Sequence, residues 1–310
     1  MAGNSDTLVW PGPPDRARIR YVTALSSEAS FQEDKGTFSK VLRFFFGGEQ
    51  KTPWLVQPVG IAVSNKGIIY VADPGANGVH RIDQQEHKHT FVTETKYGMF
   101  KSTVGIACAD DGRVYITDSE EGAIVVADDE LDSKEVIKGK IIRPTGISII
   151  RNKLYVVDTG AHKIIILDLQ GNYLGEFGRR GTGEGEFNFP VEITGRDTLC
   201  VVDALNYRIQ LFDPSGKFVR TFGQQGNAIG RFASPKAVAL DSDNDIYVTD
   251  ALLDNLQIFN MQGQLLLSLG QKGALDGQFM TPNGIAVDSQ DRIYIVDTLN
   301  RRVQIFQYLK

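Results

Sequence analysis

Pro282–Phe306 reads PNGIAVDSQDRIYIVDTLNRRVQIF, and this stretch decides the fold. Pro282–Val287 alternates small and branched residues and reads as a strand. Asp288–Arg292 is a polar turn of residues that tolerate tight backbone conformations. A second β-type run, Ile293–Asp297 (IYIVD), ends in aspartate, and a third, Arg302–Phe306 (RVQIF), follows a short loop. Runs like the second recur at Ile69–Asp73, Val114–Asp118, Leu154–Asp158, Leu199–Asp203 and Ile246–Asp250. Subtracting successive Asp positions (73, 118, 158, 203, 250, 297) gives steps of 45, 40, 45, 47 and 47 residues. A repeat in that range built only of strand-like segments is the signature of propeller blades, not of a helical solenoid.

Other markers move in step with the aspartates. Gly178, Gly223 and Gly270 keep the same spacing, as do Phe187, Phe232 and Phe279, and Pro190, Pro235 and Pro282. Each unit predicts four strands, a to d, the fourth exemplified by Phe218–Phe222 after the turn Pro214–Lys217 (PSGK). The sixth unit stops at Lys310, after its third strand. Arg18–Leu25 (RIRYVTAL) has the length and alternation to supply the missing fourth strand, which would close the ring and remove an exposed edge. The expected architecture is all-β: one six-bladed propeller with an N-terminal strand completing the last blade. Residues 1–17 read as a tether, 18–25 as the closing strand, 26–57 as an insertion and 58–310 as blades 1 to 6. Within the insertion, Phe38, Val41, Leu42, Phe45 and Phe46 fall at helical spacing, predicting a short amphipathic helix over 30–46.

Composition narrows the function. Lys and Arg total 33 against 38 Asp and Glu, a net charge of −5, which does not favour nucleic acid or an anionic membrane. No apolar stretch has the length to span a bilayer, and Met1–Asp6 has neither the charged nor the apolar part of a signal peptide. Cys108 and Cys200 fall in non-adjacent repeats and are expected as unpaired, buried hydrophobes. No nucleophile elbow or phosphate loop is present, and no cofactor is expected. His80, His87, His89 and His162 do not make a zinc ligand set. Asp241, Asp243 and Asp245 match the first positions of a calcium loop, but Ile246 replaces its glycine and Leu252 its terminal glutamate, so a plain hairpin turn is expected.

Asp203–Phe212 (DALNYRIQLF) and Asp297–Phe306 (DTLNRRVQIF) resemble the NHL repeat, and so does the glycine-rich lead-in with Phe187 and Pro190. The resemblance runs from Pro58 onward and is sharpest in the later repeats. Thr103 stands where its proline is expected, and Ser119–Val125 lacks its Asn and Arg. Trp10–Tyr21 (WPGPPDRARIRY) resembles the opening of bacterial envelope NHL proteins, often lipoproteins. That likeness implies a cell-envelope location with a lipid anchor upstream of residue 2. Amidating lyases of this fold use histidines at the channel, and no strand a here begins with one. Some animal members bind RNA on a basic face. Here Arg179, Arg180, Arg231, Lys236 and Lys272 are interleaved with Glu184, Glu186 and Asp276.

In this strand order the d–a and b–c loops share one face, the top, and the a–b and c–d turns the other. The bottom is acidic, with Asp110, Asp111, Asp128, Asp129, Asp132 and Asp288 among its residues. At the channel mouth, Glu192, Lys236 and Asn283 are polar positions near the starts of strands a. Glu192 stands where other repeats have Gly60, Gly105, Gly146, Ala237 or Gly284, so it must be paired or hydrated, and Lys236 is the expected partner. The leading expectation is a monomeric, non-catalytic scaffold holding a protein, peptide or glycan on its top face. Glu192, Lys236, Asn283, Arg179, Arg180, Phe45 and Phe46 are the candidate contacts, in the sector near the insertion and the short loops after repeats one and two. The alternative is a metal-dependent hydrolase or lactonase built on Glu192 and Asn283.

Overall fold

The computed structural model describes residues 8–27 and 54–310. Six four-stranded antiparallel units follow one another around an axis. Blade 4 is representative: strand a is Pro190–Gly195, b Leu199–Asp203, c Arg208–Phe212 and d Phe218–Phe222. The predicted closure is present. Strand c of blade 6, Arg302–Tyr308, pairs with Ile19–Leu25 in the register Ile19↔Tyr308, Tyr21↔Phe306 and Leu25↔Val303.

Part of the stretch read as a tether is structured. Val9–Trp10 adds a fifth strand outside Ile19–Leu25. The Trp10 ring meets Phe306 edge-on at 5.8 Å, joining Tyr21 of the closing strand, whose ring meets Phe306 at 5.6 Å. The predicted helix over 30–46, with Phe45 and Phe46, lies outside the described residues.

Over the five residues that end in the aspartate, strand b is buried at every position in all six blades, which is why its sequence is a continuous apolar run. Its second residue is tyrosine in five blades. Each ring is fully buried, and its hydroxyl reaches the bottom face. Tyr70, Tyr115 and Tyr155 donate to carbonyls of Asp129, Leu169 and Pro214 in the next blade at 2.7, 2.8 and 2.9 Å. Cys200 fills this place in blade 4 and is buried and unpaired with Cys108, as expected.

At the top, the recurring aspartate ends strand b and turns inward. Asp73, Asp118, Asp158 and Asp250 each accept two backbone N–H groups of the loop entering their own blade. Asp203 and Asp297 take one such N–H each and add the Asn, Arg and Gln of their repeat: Asn206, Arg208 and Gln210, and Asn300, Arg302 and Gln304. Asp–x–x–Asn–x–Arg–x–Gln is therefore a hydrogen-bonding unit that pins the glycine-rich loop over its blade. Thr117, Thr249 and Thr298 hydroxyls donate to carbonyls of the next strand a, at 2.7, 2.6 and 2.8 Å, joining blades around the axis.

Candidate functional site

The six a strands surround a channel of about 310 Å³. Just inside its top they nearly touch. A Cβ placed on Gly60 would lie 1.8 Å from the Val104 carbonyl oxygen, on Gly105 2.2 Å from that of Thr145, and on Gly284 2.5 Å from that of Val59. Glycine at this level lets neighbouring strands close the ring. Gly146 has a second role: its Cβ position lies 2.4 Å from Glu192 Oε1, so the missing methyl makes room for the next blade's carboxylate.

Glu192 lines the channel, and its Oε1 accepts the Ile193 N–H at 3.0 Å. Its surface is partly open to the channel, yet the carboxylate is surrounded by protein on its other sides. Burial pushes its pKa up to about 8, with the Ile193 hydrogen bond opposing weakly. The predicted ion pair with Lys236 does not form: among the described residues no Lys or Arg nitrogen lies within 4.0 Å of Glu192. The reason is register. Glu192 aligns with Ala237, because Glu192 pairs opposite Val202 and Val238 opposite Val248. Lys236 is one residue earlier and projects to the other side of its strand. Lys236 and Asn283 are half-buried, and neither lines the channel cavity. Asn283 contributes its backbone carbonyl to Thr249.

Arg179 and Arg180 are exposed on the top loop entering blade 4, and Arg179 pairs with Glu186 at 2.9 Å. Asp241, Asp243 and Asp245 sit on the bottom. Asp241 is buried and accepts the N–H groups of Asp243 and Asp245 and the Tyr247 hydroxyl; burial raises its pKa. Asp243 accepts the Tyr308 hydroxyl at 2.9 Å, and burial together with its two acidic neighbours pushes Asp245 up to about 6. These carboxylates serve a hairpin turn and the seam with the last strand. Among the described residues, no three His, Cys, Asp or Glu side chains cluster to hold a metal.

Two features escaped the sequence reading. Leu205, Leu252 and Leu299, 47 residues apart, occupy the same b–c loop position on blades 4, 5 and 6 and are 49%, 71% and 58% exposed. Ile142, Ile229 and Leu275, on the d–a loops of the same face, are 67%, 67% and 71% exposed. Among the described residues the bottom turns carry no leucine or isoleucine so exposed, and the other comparably exposed apolar side chains there, Tyr173, Leu174, Val219 and Leu266, belong to the outer d strands. The corresponding tips of blades 1 to 3 are Gly75, Glu120 and Gly160. Aligning the repeats on Asp would have shown this leucine series.

The second is His80, which takes the register of Gln210, Gln257 and Gln304. Fully buried, its ring lies 3.4 Å from Asp73 through Nε2 and 3.0 Å from His89 Nε2 through Nδ1, and stacks on Phe91. Burial opposes the charge on Asp73, but the facing His80 ring and the hydrogen bonds from the Val56 and Gln57 N–H groups outweigh it and hold its pKa below the usual carboxylate value.

Comparison with known proteins agrees with this geometry. A family profile described as a six-bladed β-propeller matches residues 239–308, and one described as an NHL repeat matches residues 55–83. The chain is similar to an auxiliary nutrient binding protein from Bacteroides thetaiotaomicron, at 16% identity and a TM-score of 0.66, over 83% of this chain and 70% of that one. A structural genomics protein of unknown function from the same organism is similar to the same degree, over 84% and 71%. Virginiamycin B lyase from Staphylococcus aureus is similar at 16% identity and a TM-score of 0.57, over 82% and 96%. At these identities the likeness concerns the fold. The chain is a six-bladed β-propeller that carries a matched NHL repeat at residues 55–83.

Proposed function

We propose that the protein is a non-catalytic binding module that holds a protein or peptide partner on its top face. The observation that carries this reading is the set of exposed leucine and isoleucine tips on the top loops of blades 3 to 6, set against a bottom that is acidic and without such tips. Apolar side chains gathered on one face and rimmed by polar groups mark interaction surfaces, whereas scattered ones need no explanation. Aliphatic tips favour a polypeptide with apolar side chains over a glycan, whose hydroxyls would be left without hydrogen-bond partners against them. Arg180, Arg231 and Lys272 stand exposed among the tips and suit an acidic rim on the partner. The similarity to a propeller described as nutrient binding is consistent with a binding role, and the resemblance of Trp10–Tyr21 supports placing it at the cell envelope. Against the hydrolase alternative, no second acidic or histidine side chain lines the channel with Glu192 among the described residues.

The test is site-specific photo-crosslinking in extract of the source cells. A crosslinker at position 252 should capture a discrete protein, and one at position 215, on the opposite turn, should not. Capture at 215 alone would place the partner on the wrong face.

A further inference from the structure

Just inside the top of the channel stands one carboxylate, Glu192, with no cation facing it among the described residues. Among the described residues, the only charged side chains lining the cavity are Glu192 and Arg196. Arg196 follows four residues later, roughly 13 Å down an extended chain at about 3.3 Å per residue, and is exposed at the bottom. The Cys108 thiol, also on the wall, is held neutral by burial, its pKa pushed up to about 12. The other lining residues meet the channel largely through polar backbone atoms, since Ile147, Ile193, Val238 and Ile285 turn their side chains into the core between blades. Every other blade carries glycine or alanine at the Glu192 position, and Gly146 leaves space for the carboxylate. The fold therefore tolerates a small residue here, and the acid is not required for the strands to meet.

We propose that the channel mouth is a binding site for a protonated primary amine, with the ammonium on the Glu192 carboxylate and its remaining donors toward the backbone acceptors of the channel. An ammonium brings three donors and one positive charge, and needs one carboxylate and neighbouring acceptors. A calcium ion needs six or more oxygens, and one carboxylate without a further acidic side chain does not supply them. Removed from bulk water, the pair attracts strongly, and that attraction offsets the cost of ionising the buried carboxyl.

The proton count follows. The free carboxyl holds its proton up to about pH 8. On arrival of the alkylammonium, the O–H bond breaks, the proton leaves to solvent, and the carboxylate pairs with the cation. One proton is released per ligand below that pH. The site goes beyond the docking face: a free amine can fill it whether or not a polypeptide binds the leucine tips, and a docked partner could fill it with a lysine side chain or its N-terminus.

The probe is n-butylammonium, titrated calorimetrically into the full chain at pH 7 in two buffers of different ionisation enthalpy. Saturable binding with release of close to one proton is expected. Affinity should rise about tenfold from pH 6 to pH 7 and level off above about pH 8. Glu192→Gln should lose binding by tenfold or more while keeping the wild-type circular dichroism spectrum. If that variant fails to fold, the Glu192 carboxyl carbon resonance of the wild-type protein, titrated with and without butylammonium, replaces it: the apparent pKa should fall when the amine is present. Absence of saturable binding, binding without proton release, equal binding by Glu192→Gln, or tighter binding of calcium chloride run in parallel would each overturn the proposal.

Discussion

Asp297 Oδ2 and Arg302 Nε lie 2.8 Å apart, both side chains buried, beneath the loop that enters the last blade. Asp203 and Arg208 repeat the relationship in blade 4 at the same distance. Asp118, by contrast, faces only backbone N–H groups, those of Lys101, Ser102 and Glu121. Removing one partner of a buried ion pair costs about 3–5 kcal/mol, because the other charge stays buried alone. Losing a carboxylate that caps N–H groups costs about 1–3 kcal/mol. Asp297→Ala should therefore lower the urea midpoint clearly more than Asp118→Ala. Equal losses would mean that the arginine adds nothing to its aspartate.

Ring closure makes a second prediction. Deleting residues 1–25 exposes strand c of blade 6 along its whole length, and an unpaired edge pairs with other chains. The truncated protein should elute as aggregates on size exclusion and lose cooperative melting. A monodisperse, cooperatively melting product would show that the N-terminal strand is dispensable.

The Glu192 carboxyl has its folded pKa raised to about 8 from an ordinary value near 4.5. Between those values the folded state holds a proton that the unfolded state has lost, so stability falls as pH rises through this window. Asp245 and Asp241 are shifted in the same direction, so the wild-type slope alone does not identify Glu192. The difference does. Glu192→Gln should melt close to wild type at pH 4 and above it at pH 9. A difference independent of pH would contradict the burial of this group.

His80 stands in for the repeat's glutamine beside Asp73. His80→Gln should therefore keep most of the wild-type stability at pH 7. His80→Ala leaves Asp73 short of a partner and should cost about 1–3 kcal/mol, read as the shift in urea midpoint. Equal behaviour of the two variants would mean that the Asp73 contact carries no weight.

The blades were legible because each strand b is buried on both sides and each aspartate must cap a loop, so the same residues recur at every turn. Ring closure was legible for a related reason: a missing strand d leaves an edge that only Arg18–Leu25 can fill. The site was harder to read. Glu192 and Lys236 are both polar residues near the start of a strand a, but a one-residue offset in a period of two sends them to different sides, and only pairing with strand b reveals it. Trp10 belongs to no repeat, so nothing in the periodicity pointed to its packing on Phe306. The leucine tips were visible in the spacing, but exposure decides their meaning, and leucine in a loop is buried as readily as it is exposed.

The central claim is that the top face binds. Its most direct test is the affinity of the recovered partner for two sets of variants. One is Leu205→Ser, Leu252→Ser and Leu299→Ser combined; the other is Asp132→Lys with Asp197→Lys, on exposed bottom turns. The account predicts at least a tenfold loss of affinity in the leucine set, at unchanged melting temperature, and wild-type affinity in the aspartate set. Loss confined to the aspartate set would contradict it.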